Sequence, residues 1–370
     1  MPSVMVRVMN SMIRWLCEPP RRCSEDSIHR TSFDLSGFYT RWTREQYIRS
    51  SVVSHRYPKP LNMKTAAILS FVALFALGQS QRIVLTNDDG WAVTMIRAQY
   101  DALKASGFST VLSAPAENQS GKGSSSAPPT ALEQPCQFDT CPVGSPPEGS
   151  EPDDPNINYV NSFPVDAARF GIQTLSSQLL GDAPDFVVSG PNIGNNLFSL
   201  GGSGTVGAAS EAALEGIPST AFSAGSSVQS VSYTTLTTDP DSDGSKAARV
   251  YAELTVKFTN ALLAGPKPIL PPNISVNVNY PPVTDSCATA SDFKFVLTRV
   301  TPDFKGDDVK QCGVTLLPDE TSVIVADTLL SYCFVTVSVI DARIKKDVDA
   351  ATQQVVRDRL SSFLSCLIQI

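Results

Sequence analysis

Short apolar runs alternate with amphipathic stretches along residues 82–263. RIVLT (82–86) is a compact, β-branched strand pattern. MIRAQYDALKASG (95–107) follows it, with Ile96, Tyr100 and Leu103 at helical spacing and Gly107 as a C-cap. FSTVLSAP (108–115) reads as the next strand. VDAARFGIQTLSSQLLG (165–181) predicts a helix, DFVVSG (185–190) a buried strand, VGAASEAALEG (206–216) an alanine-rich helix and STAFSA (219–224) another strand. A further helix is expected over 246–263. This strand–helix–strand order with short connections predicts an α/β fold, a mainly parallel sheet flanked by helices. Residues 118–158 are rich in Ser, Pro and Gly and read as a long loop or extension over the sheet. ISVNVNY, FKFVLTRV, SVIVAD (322–327) and CFVTVSVI predict a β-rich C-terminal extension, closed by a helix over 347–365. There is no internal repeat, so one α/β core (82–265) with an extension (266–370) is expected.

The pattern breaks near residue 63. MKTAAILSFVALFALGQSQR joins a basic residue, about a dozen apolar residues and a small-polar end, the form of a secretory signal peptide over 63–81. Its apolar core is short for a membrane span. Met63 is therefore the expected start, and residues 1–62 a non-native or disordered extension. That extension holds both histidines (His29, His55) and ten Lys/Arg against five Asp/Glu. From residue 82 on there are 18 Lys/Arg against 31 Asp/Glu, a net charge near −13, which argues against nucleic acid and anionic membrane as partners. Secretion makes the six later cysteines (136, 141, 287, 312, 333, 366) candidates for up to three disulfides, with Cys136–Cys141 able to close a local loop. Sequons stand at Asn118 and Asn273.

Open parallel sheets bind ligands beyond the carboxyl ends of their strands. Three loops fall there: TNDDG (86–90), APAENQSG (114–121) and SGPNIGNN (189–196), joined by GGSGTVGAASEAALEG (201–216). Each alone has a plain reading: Asp-Asp-Gly as a turn or helix N-cap, the asparagines as turn residues, Ser120 as a loop hydroxyl. Together, two carboxylates with amide and hydroxyl oxygens form a hard donor set suited to Mg²⁺, Mn²⁺ or Ca²⁺. The glycine-rich run into a helix is an anion cradle. Metal beside anion at one sheet edge suggests metal-assisted phosphoryl hydrolysis. Gly202-Ser-Gly204-Thr-Val-Gly207 matches a dinucleotide fingerprint only literally, since no tight strand turn precedes it. Asp239–Gly244 opens like a calcium loop but has Val250 where a glutamate is needed. With no histidine after residue 55, Ser-His-Asp and histidine-phosphatase chemistry is excluded from the core.

Asn87-Asp88-Asp89-Gly90, Ala114-Pro115 with Ser120-Gly121, Ser189-Gly190 with Asn192-Ile193-Gly194-Asn195-Asn196, and Ser203-Gly204-Thr205-Val206 stand in one order. This series resembles the SurE-like (survival protein E) phosphatases and nucleotidases, and with a signal peptide it looks most like the secreted fungal acid-phosphatase branch. The resemblance implies a Rossmann-like core and a divalent metal, Mg²⁺ or Mn²⁺ with Ca²⁺ as a third option. By position Asp88, Asp89, Ser120 and Asn192 would hold the metal, and Asn196, Ser203, Gly204 and Thr205 the phosphate. Asp88, Asp89 and Asn196 would be catalytic. It also implies a small phosphorylated substrate and a homodimer as the default assembly. Trp91-Ala92-Val93 departs from the family pattern, which puts substrate preference in doubt at what reads as the entrance loop. The alternatives are a secreted binder of the same fold without catalysis and a metal-dependent nuclease or phosphodiesterase.

Overall fold

The computed structural model describes residues 80–225, 229–302 and 306–367. The expected extension over 1–62 and all but the last two residues of the expected signal peptide lie outside the described residues.

Five parallel pairings build the centre of the sheet. β1 (Arg82–Thr86) lies between β2 (Ser109–Pro115) and β5 (Phe186–Asn192), β4 (Ile157–Val160) flanks β2, and β6 (Ser219–Ser223) and β7 (Ile274–Asn279) follow β5. β3 (Glu148–Ser150) closes one end antiparallel to β4. At the other end β9 (Phe334–Asp341) runs antiparallel to β7 and carries both β8 (Lys294–Thr298) and β10 (Lys346–Asp347) on its far side. The two-residue alternation of β1 sends Ile83 and Leu85 into one core and Val84 into another, so helices cover both faces. α1 (Thr94–Ala105) packs with α4 (Asp243–Leu263) on the first face. α2 (Pro164–Phe170), its continuation in wider turns through Gly171–Leu180, and α3 (Gly204–Leu214) cover the second.

The α/β expectation holds. The sheet does not stop at residue 265, because β7, β8, β9 and β10 extend it without a break. Three readings are corrected. SVIVAD is not a strand: it lies inside helix α5 (Glu320–Leu330). Asp319 caps that helix, its Oδ1 accepting from Ser322 N at 2.8 Å, and Glu320, Val323, Ile324 and Asp327 form the buried stripe. A short β-branched run fits either state on its own, and here cap and helical spacing win. The 118–158 stretch is not only loop, since it contains β3 and the first two residues of β4. The last helix, expected over 347–365, is also shorter, α6 spanning Ala350–Arg359.

All six later cysteines are paired, as Cys136–Cys141, Cys287–Cys333 and Cys312–Cys366. The described residues belong to one compact unit. No helix among them is long and apolar enough to cross a membrane.

Candidate active site at the strand ends

β1 delivers Asp88 and Asp89 just past its last residue, and a local clasp fixes the turn. Asn87 Nδ2 donates to Gly90 O at 2.9 Å, and Gly90 N donates back to Asn87 Oδ1 at 3.3 Å. Gln137 braces it, its Nε2 donating to Asp89 O at 2.8 Å. Thr205 Oγ1, in the first turn of α3, donates to Asp88 Oδ1 at 2.6 Å. Asn196 Nδ2 donates to Thr205 Oγ1 at 3.4 Å and to Ser223 Oγ, at the end of β6, at 2.8 Å. Asp89 reaches the other two loops. Its Oδ1 accepts from Ser120 Oγ at 3.3 Å and its Oδ2 from Ile193 N at 2.7 Å, next to Asn192. The four loops therefore meet, as the sequence implied.

The approach is close enough to dictate residue type. A Cβ at Gly204 would lie 2.7 Å from Asp88 Cβ and 3.0 Å from Pro164 Cγ. One at Gly207 would lie 2.2 Å from Gly123 O, so the Ser120 loop and the start of α3 touch through backbone. Ser203 is the N-cap of α3, its Oγ accepting from Val206 N at 3.0 Å. The hydroxyl implied as a phosphate contact is thus engaged in building the helix end. Asn192 Nδ2 donates to Gly194 O at 2.6 Å, leaving its side-chain oxygen as the atom to serve as a ligand.

Both carboxylates are nearly inaccessible, and burial changes their acidity. Asp88 is pushed up by burial, against the hydrogen bond from Thr205. Asp89 is pushed up to about 7 by burial and by the neighbouring charge of Asp88. Among the described residues no Lys or Arg offsets this pair. No group of three or more His, Cys, Asp or Glu among the described residues is placed to hold a metal. The donor set is instead two carboxylates with neutral Ser and Asn oxygens, which fits an oxygen-preferring dication that would also compensate the uncancelled charge.

Residues that the sequence left unnoticed support this edge. Asn196 O accepts from Asn277 Nδ2 and from Asn279 Nδ2, each at 3.0 Å, and Asn196 N donates to Asn279 Oδ1 at 2.8 Å. The signal was available: ISVNVN places Ser275, Asn277 and Asn279 on one face of a buried strand, where polar groups need partners. Glu320, wholly buried, accepts from Asn277 Nδ2 and Ser338 Oγ, each at 3.0 Å, and from Phe198 N at 3.3 Å. Burial pushes its carboxyl up to about 8.

Trp91-Ala92-Val93 does not form an open entrance. All three are buried, Trp91 edge-on to Tyr159 at 5.1 Å and beneath the Arg97 guanidinium at 5.3 Å. They anchor the loop to the core, so the break with the family pattern falls on packing. Glu211 forms an ion pair with Arg169 at 2.6 Å on the helical face. The calcium-like stretch serves as a helix start, Ser242 Oγ accepting from Ser245 N at 3.3 Å.

A family profile described as Survival protein SurE matches residues 83–304. An acid phosphatase of Yarrowia lipolytica is 34% identical over 274 residues, which are 65% of this chain and 75% of that protein. A 5'-nucleotidase SurE of Methanococcoides burtonii is 37% identical over 146 residues, 39% of this chain and 49% of the relative. The SurE protein of Aquifex aeolicus, a solved structure, shares 21% identity and aligns with a TM-score of 0.48 over 75% of this chain and 98% of its own. The chain thus spans three quarters of the Yarrowia protein and about half of the archaeal one.

Proposed function

Since this chain belongs to the survival protein SurE family, we propose that it is a secreted, divalent-metal-dependent phosphomonoesterase, acid-phosphatase or nucleotidase in type. The observation that carries this reading is the line Asp88–Thr205–Asn196. It ties the strand-end carboxylate of Asp88 to the N-terminus of α3 and to the asparagine loop through bonds of 2.6 and 3.4 Å. Acid phosphatase and 5'-nucleotidase are the names of its relatives, and the disulfides are compatible with secretion.

Asp88, Asp89, Ser120 and Asn192 would hold the cation. Mg²⁺ or Mn²⁺ bound there supplies the charge that polarises a phosphoryl group and makes water more acidic. The chain's own part is positioning and charge complementarity. The first backbone N–H groups of α3 turn to the Asp88 carboxylate, and Asn196 Nδ2 is bonded to Thr205 and Ser223 beside them. A helix start of this kind favours an anion, and such donors, turned to a bound phosphate, would stabilise charge that grows in the transition state. Thr205 orients Asp88 and is itself oriented by Asn196. With no histidine after residue 55, proton removal from water falls to a carboxylate of the Asp88–Asp89 pair.

A screen of the full-length protein across nucleotides and simple phosphate esters, with Mg²⁺, Mn²⁺ and Ca²⁺ in turn, tests the proposal. Metal-dependent release of phosphate is expected. Absence of turnover with every ester and metal would remove the reading in favour of a binding protein, and cleavage of oligonucleotides instead would favour the nuclease.

A further inference from the structure

Phe198 lies two residues beyond Asn196, so the two Cα atoms are no more than about 7 Å apart. It is 63% exposed, more than any other aromatic residue described. A single exposed apolar side chain is ordinary, but the way this one is held is not. Its φ is +61°, the left-handed region that a bulky side chain rarely adopts and keeps only when its surroundings impose it. The surroundings here are a buried polar truss. Phe198 N donates to Glu320 Oε1 at 3.3 Å, while Glu320 Oε2 accepts from Asn277 Nδ2 and Ser338 Oγ at 3.0 Å. The same Asn277 amide donates to Asn196 O, so one network from β7, β9 and α5 fastens both ends of the 196–198 segment. The segment carries the phosphate-side amide at one end and an outward aromatic ring at the other.

We propose that Phe198 is a specificity-determining residue, a stacking platform for a leaving group that carries an aromatic ring, and that Glu320 positions it. The inference rests on the phosphomonoesterase reading for where the phosphate sits. Aromatic side chains stack on any base through its π-face, so the platform favours nucleoside and aryl esters over alkyl ones without choosing among bases. Glu320 acts only through the backbone of Phe198.

The test compares kcat and KM of the full chain for adenosine 5'-monophosphate and glycerol phosphate. Phe198→Ala is expected to lose about tenfold in kcat/KM on the nucleotide, mostly through KM, and less than about twofold on glycerol phosphate. Phe198→Tyr should restore the nucleotide value. Glu320→Ala should reproduce the selective loss, and Glu320→Gln, which keeps an oxygen for Phe198 N, should lose less. Equal losses on both substrates, or none on the nucleotide, would overturn the proposal. Phe198 is a surface residue, so its variants decide the matter even if Glu320→Ala does not fold. Should the wild type hydrolyse neither ester, the phosphatase reading fails, and calorimetric titration of the same two ligands with Mn²⁺ present decides the platform separately. Selective weakening of nucleotide binding in Phe198→Ala supports it, and unchanged binding overturns it.

Discussion

The edge of the sheet at residues 82–225 and the C-terminal region at 274–367 are held together by different means. At the edge, backbone comes within van der Waals contact at Gly204 and Gly207, and short hydrogen bonds join four loops around two buried carboxylates. In the C-terminal region two disulfides, Cys287–Cys333 and Cys312–Cys366, brace a mixed set of strands and helices over a buried Arg299–Asp308 pair at 3.4 Å. The first region gives up stability to gather like charges, and the second carries covalent reinforcement. They meet at Asn196, whose backbone is gripped by Asn277 and Asn279. The C-terminal region is therefore part of the site's support as well as a cover for the sheet edge.

Substitutions can break this contrast. Asp88→Asn should reduce phosphate release by roughly 10³-fold or more while the thermal midpoint stays level or rises, because it removes a buried charge. A variant that keeps its rate would place the chemistry elsewhere. Thr205→Ala, which cuts the line between Asp88 and Asn196, should cost about 10- to 100-fold in kcat, read in steady-state kinetics. In the C-terminal region the order reverses. The double variant Cys312→Ser/Cys366→Ser should lose about 2–4 kcal/mol of stability in denaturant titration with glycerol phosphate turnover of the folded protein nearly intact. Gly204→Ala tests the close approach and should destabilise by about 1–3 kcal/mol with loss of activity, since its Cβ meets Asp88.

The smallest effect is a pH dependence at the junction. Burial raises the Glu320 carboxyl from 4.5 to about 8. A raised acid favours the folded chain while it is neutral, so its contribution is full below pH 4.5 and is lost as pH rises to about 8. Glu320→Gln cannot ionise. The difference in thermal midpoint, variant minus wild type, should therefore increase between pH 4.5 and 8 and level off above. A difference that is flat with pH would show that Glu320 is already charged in the fold.

The same contrast explains what the sequence disclosed. The strand-end loops were legible because each carries a short motif of its own: Asn87–Gly90 closes on itself, and Ser203 caps the helix that the glycine-rich run begins. The central strands were legible from two-residue alternation. Residues 322–327 were misread because a β-branched run has no fixed state until Asp319 caps it and the Val323–Ile324 stripe finds a core. Asn277, Asn279 and Glu320 were missed because their meaning depends on strands and a helix distant in sequence. Trp91 was read as an entrance because a departure from a family pattern does not say whether the residue faces a ligand or the interior.

In the proposed function, phosphate monoester hydrolysis depends on a divalent metal held by Asp88 and Asp89. The most direct test of this dependence is phosphate release from a simple monoester by chelator-treated full-length protein before and after Mg²⁺ or Mn²⁺ is added back. We predict negligible release in the chelated protein and recovery on adding the cation. Undiminished release in the presence of chelator, or none with any cation, would contradict it.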